Sequence, residues 1–163
     1  ATFALLPKLS WGATAALSAN KVNNFEEFID DYDNGGQIRN AYDRTDLAFS
    51  PNFVGSSTLS FKPTNAFEVA FLSKYVSKQY LDNTSNEARK LDAFFVNNLR
   101  LGYDFKLKGV KSIGLGLLVN NVFNELYESN GYTFSYIAGG LITENFYYPQ
   151  AETNFLFSVN MKF

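Results

Sequence analysis

The sequence has no cysteine and no histidine among its 163 residues. The first absence removes disulfide frameworks, thiolate chemistry and cysteine-based metal sites. The second removes the commonest general base and the commonest metal ligand. Without histidine no Ser–His–Asp set can form, and no glycine-rich phosphate loop follows a strand and opens a helix. Carboxylates are present, but no pattern pairs them for acid–base work. The reading is a protein that is not an enzyme and uses no cofactor and no metal. The formal net charge is −2, so there is no basic footprint for nucleic acid. Long apolar runs are missing too. The richest, Ile113–Val119 (IGLGLLV), is far short of the roughly 18 residues of a membrane helix and holds two glycines. Transmembrane helices are thereby excluded; a membrane barrel is not, because its signal is alternation.

What is abundant is aromatic. Phe (17) and Tyr (10) with one Trp make 17% of the chain, which rules out a disordered tail. The length suits one domain, and its residues alternate. From Asn154 to Phe163, Phe155, Phe157, Val159, Met161 and Phe163 share one face, opposite Asn154, Leu156, Ser158, Asn160 and Lys162. A period of two is the mark of a strand. The same pattern runs through Leu9–Asn20, Phe53–Lys62, Ala66–Leu81, Asp92–Lys106 and Ser112–Phe123, and Ala1–Leu6 reads as the end of a seventh strand. These stretches reach the roughly 9–11 residues that cross a bilayer, whereas soluble strands average about 5–6.

Their connections alternate in length. Lys62–Asn65 and Lys106–Lys111 are short; Lys21–Pro51, Asp82–Leu91 and Glu128–Thr153 are long and polar. Outer-membrane barrels alternate in this way, with short periplasmic turns and long extracellular loops. Glu68, Lys74, Lys78, Arg100, Asp104 and Lys106 lie opposite the apolar faces, where they would line a wet lumen, meet a plug, or face solvent in a soluble sandwich. Trp11, Phe61, Tyr103, Phe105, Phe123, Tyr127 and Phe163 stand near strand ends, as interfacial girdle rings do.

Two loops invite site readings. Glu26–Gly36 (EEFIDDYDNGG) loosely echoes an oxygen-rich cation loop through Asp31, Asp33 and Gly35, but the closing bidentate Glu is missing, so it reads as a solvated turn. Tyr132, Phe134, Tyr136, Phe146, Tyr147 and Tyr148 make the last loop the better candidate for ligand contact. The alternative is that these rings pack the strands above the membrane or form its outer girdle.

The stretch Asn120–Glu128 (NNVFNELYE) resembles a signature near the end of TonB-dependent outer-membrane receptors, with Asn120, Asn121, Phe123 and Tyr127 matching. Val122 and Asn124 stand where Leu and Asp are usual. The continuation ENFYYPQAETNFLFSVNMKF is similar to that family's last loop and closing strand, with Glu152 and Thr153 in place of the Gly and basic residue expected. Asn20–Gln37 and Thr45–Phe53 are similar to an earlier extracellular loop. The resemblance implies an all-β chain: residues 1–163 as the C-terminal six to seven antiparallel strands of a transmembrane barrel of about 22 strands. Its plug and earlier strands would lie outside this chain. It further implies TonB-dependent uptake of a siderophore, cobalamin, glycan or peptide across a Gram-negative outer membrane. The implied partners are membrane lipid, the rest of the barrel and its plug, the TonB complex through the missing N-terminal region, and a surface lipoprotein in some members. The barrel-assembly machinery would read Phe157, Val159, Met161 and Phe163. A passive porin and a soluble β-sandwich binding module remain as alternatives.

Overall fold

A computed structural model describes all of residues 1–163. Thirteen strands and no helix make up the chain. They are β1 (Thr2–Leu6), β2 (Leu9–Leu17), β3 (Lys21–Asp31), β4 (Gln37–Asp46), β5 (Phe53–Phe61), β6 (Phe67–Val76) and β7 (Gln79–Tyr80), then β8 (Lys90–Leu91), β9 (Phe94–Leu107), β10 (Val110–Asn120), β11 (Glu128–Ile137), β12 (Leu141–Pro149) and β13 (Asn154–Lys162). Seven of them form one antiparallel sheet in the order β1-β2-β5-β6-β9-β10-β13. The all-β, antiparallel expectation holds, and each of these strands overlaps a stretch of alternation in the sequence. The sheet is an up-and-down wall, open at β1 and β13.

Short turns join the wall strands at one end. Between β5 and β6, Thr64 Oγ1 accepts the N–H groups of Ala66 (3.3 Å) and Phe67 (3.2 Å), a local turn bond. The second turn corrects the sequence expectation. Lys106–Lys111 is not a six-residue connection, because β9 and β10 run on to a two-residue turn at Lys108–Gly109. Gly109 takes φ 96°, a value open to glycine that tightens the hairpin. All three long excursions leave the other end. Two of them are also corrected: Lys21–Pro51 contains the hairpin β3–β4, and Glu128–Thr153 contains β11–β12.

Across the wall the register lines up Phe3, Trp11, Leu59, Phe71, Leu99, Val119 and Phe155 in one unbroken apolar row. Thr14, Ser56 and Lys74 fall on the opposite face, as do Glu68 and Arg100. No second sheet packs over either face. Only 15 of 163 residues are buried. The fold therefore rests on main-chain ladders, which hold 70 of its 86 main-chain hydrogen bonds, and not on an interior.

Two polar pairs form on the apolar face. Trp11 Nε1–H donates to Ser57 Oγ at 2.8 Å, and Ser73 Oγ–H donates to Asn97 Oδ1 at 2.7 Å. Rings line the short-turn end, where Phe3 stacks on Trp11 (5.9 Å) and Tyr103 on Phe105 (5.8 Å). Phe123 packs on Phe71 of the apolar face at 6.2 Å. Tyr127 lies on the other side of the wall. It stacks at 4.4 Å on Phe94, which pairs with Val76 on the polar side, and so helps close the small cluster of Val76, Phe94 and Val96.

Candidate functional site

The three excursions meet above the wall. Hairpins β3–β4 and β11–β12 join into a second sheet, in the order β12-β11-β3-β4. The join is parallel and short: Tyr136 pairs with Asp30 and Ile137 with Asp31. At its tip Tyr32 N–H donates to Ile137 O at 2.9 Å, and the Asp33 carboxylate accepts Gly139 N–H at 2.8 and 2.9 Å. Asp31 caps its own turn, accepting the N–H groups of Asp33 (3.0 Å) and Asn34 (3.1 Å) and the Asn34 amide. Those bonds, the Asn34 side chain foremost, hold its carboxyl below the usual range. Asp31 and Asp33 are thus both engaged in shaping the tip, and no group of three metal-ligating side chains gathers there.

Beneath the tip sits Arg89, only 5% exposed, just before β8. Its Nη1 donates to Glu27 of β3 at 2.5 Å and to Asp82 at 2.9 Å, while Nη2 donates to Ser135 of β11 at 2.7 Å. One guanidinium therefore ties all three excursions together. Its planar fork can reach several acceptors at once, which an ammonium cannot do as well. Burial works to lower its pKa, but the hydrogen bonds and charges of Glu27 and Asp82 outweigh it and hold the group above its ordinary value. Tyr42 of β4 donates its hydroxyl to the other Glu27 oxygen at 2.9 Å, and burial followed by this bond pushes the phenol up. Sequence reasoning missed this hub. Arg89 and Glu27 are 62 residues apart, and no local spacing announces the pair.

Of the six rings singled out in the last loop, five come together. Tyr132 stacks on Phe146 at 4.9 Å and on Phe134 at 6.4 Å, and Phe134 stacks on Tyr136 at 6.0 Å. Tyr148 leans on Tyr132 at 6.2 Å. Alternation along the hairpin puts them on one open face. Tyr147 is separated from them: it pairs with Gly131, and its ring lies on the Gly131 face beside Leu81. A Cβ at Gly131 would come within 2.5 Å of Phe146 O, so only glycine lets the two strands approach there.

The Asn120–Tyr127 motif ends β10. Asn121 is 3% exposed and sits at φ 51°, a left-handed conformation that Asn tolerates better than most residues. Its Oδ1 accepts Glu125 N–H at 2.9 Å, its Nδ2 donates to Glu125 O at 2.8 Å, and its main-chain N–H donates to Asn98 Oδ1 at 2.8 Å. Thr153 Oγ1–H donates to Asn121 O at 2.6 Å, and Asn120 Nδ2 donates to Asn154 Oδ1 at 2.9 Å. The motif thus fastens the tops of β9, β10 and β13 around the point where the chain leaves the wall. On β13, Phe157, Val159 and Met161 lie on the apolar face; they and the following Phe163 are 51–81% exposed.

No protein-family model matches the chain, and no curated protein matches it. Among solved structures it is similar to the crystal structure of the closed form of the ferric-catecholate import receptor Fiu from E. coli K12. The TM-score is 0.63 at 16% sequence identity, over 98% of this chain and 19% of that one. At this identity the likeness is one of fold: the all-β, antiparallel architecture is shared with a stretch of that larger chain. The chain spans about a fifth of the receptor it matches.

Proposed function

We propose that the chain is the C-terminal part of the barrel of a TonB-dependent receptor that takes up a nutrient across a Gram-negative outer membrane. The observation that carries this reading is the wall. Six of its seven strands run from 9 to 14 residues, enough to cross a bilayer. One of its faces is an uncovered apolar band in which Trp11 pairs with Ser57 and Ser73 with Asn97. An open sheet cannot stand in lipid with unpaired edges, so β1 and β13 require further strands to close the barrel. The excursions form its extracellular loops, with the stacked rings of β11 and β12 as ligand contacts. A plug in the lumen would meet the polar face, and TonB would act through a segment upstream. The fold of an import receptor and the NNVFNELYE resemblance support the same reading.

The test is uptake by cells carrying the intact protein, with and without the proton-motive force. Uptake that stops when the inner membrane is uncoupled is expected; uptake that continues marks a passive pore instead. Phe163→Ser in the intact protein should lower its outer-membrane level through weaker recognition by the assembly machinery. Normal levels would remove the role assigned to the last strand.

A further inference from the structure

Below their two shared pairs, β3 and β11 part. The gap between them is a cleft of about 520 Å³, within the roughly 300–1,000 Å³ of small-ligand sites. In a parallel ladder, alternate residues turn both main-chain groups to the same neighbour. Tyr32 N–H reaches Ile137 O, so the main-chain groups of Asp30, Phe28 and Glu26 face β11, and those of Ser135 and Thr133 face β3. The ladder stops after Asp30, leaving the N–H and C=O groups of Phe28, Glu26 and Thr133 facing the cleft without a strand partner. Two free strand edges in one cleft are a template for strand addition. The lining is acidic: Glu26, Glu27, Asp30 and Asp82 line it, and the only guanidiniums that pair with them are those of Arg89 and Arg39.

We propose that this cleft binds a short, extended, basic peptide by strand addition. The main chain of the peptide pairs with Phe28 and Thr133 on either side, and its cations meet Asp30 and the surplus carboxylate beside Arg89. Phe134 and Tyr136 line one wall of the cleft and cover its apolar atoms. The inference deepens the uptake reading by naming a ligand class, and rests on it only for the side from which the peptide arrives.

The test is calorimetry on the intact protein in detergent, with the tetrapeptide Ala-Lys-Ala-Lys as probe. Binding is expected, with a loss of tenfold or more for Ala-Glu-Ala-Glu and for the probe with its main-chain amides N-methylated. Phe28→Pro and Thr133→Pro each delete one cleft-facing N–H on a different strand, a change that edge positions tolerate. Each should weaken the probe at least tenfold. Because the methylated probe is tested on the unaltered protein, misfolding of either variant leaves the proposal open to refutation. No binding, equal binding of the methylated or acidic peptide, or tighter binding of maltotetraose would overturn it. Binding without energy-dependent uptake would refute transport alone; uptake without peptide binding would refute this inference alone.

Discussion

The wall and the loop assembly above it are both β-sheet, yet different forces hold them. In the wall, side chains sort by a period of two into an apolar and a polar face, neither covered, and the main-chain ladder carries the structure. In the loop assembly the ladder is broken where β3 meets β11, and side chains take over: Arg89 bonded to Glu27, Asp82 and Ser135, Asp33 on Gly139, and stacked rings on β11 and β12. A wall built on ladders tolerates side-chain change so long as the face is kept. An assembly built on one guanidinium does not.

Replacing Arg89 with Ala should therefore act on one region only. It leaves the Glu27 and Asp82 carboxylates half-buried and unpaired, at a loss of about 3 kcal/mol or more. Hydrogen exchange should show β3, β4, β11 and β12 opening while amides of β5, β6 and β9 keep their protection. Equal loss in both regions would erase the distinction. At the seam, Asn121→Ala removes three side-chain hydrogen bonds and the residue type suited to φ 51°, and should lower stability by about 2 kcal/mol. Asn121→Gly restores only the backbone freedom, so its melting temperature should fall between wild type and the Ala variant.

A smaller effect belongs to the β7–β8 ribbon. Hydrogen bonds from Lys78, Tyr80 and Lys90 pull the Glu87 carboxyl down to about 2 from its ordinary 4.5. Its stabilising contribution is present above pH 4.5 and disappears as pH falls through about 2. Amide exchange in the ribbon should quicken over that window, and Glu87→Gln should flatten the response.

The same contrast decides what could be read from the residues alone. The wall strands are legible because one face is apolar throughout; Phe157, Val159 and Met161 need no partner to reveal their phase. The excursions hide their strands. In β3, Glu26, Glu27 and Asp30 mix charge into both faces, and the left-handed Asn24 (φ 53°) interrupts the period. In β11 the aromatic face is legible as Tyr132, Phe134 and Tyr136, because Thr133 and Ser135 alternate with them. Ring type alone groups Tyr147 with them, although its parity puts it on the other side. Arg89 carried no signal, since its partners come from separate hairpins and a tertiary meeting leaves no trace in spacing.

The central claim is that the apolar face of the wall touches lipid. This chain has no cysteine, so single cysteines can be placed in turn from Phe155 to Met161 and spin-labelled in the intact protein in bilayers. The account predicts alternation: labels at 155, 157, 159 and 161 accessible to oxygen, and labels at 156, 158 and 160 accessible to a water-soluble nickel chelate. Nickel access at the odd positions, or no alternation at all, would contradict it.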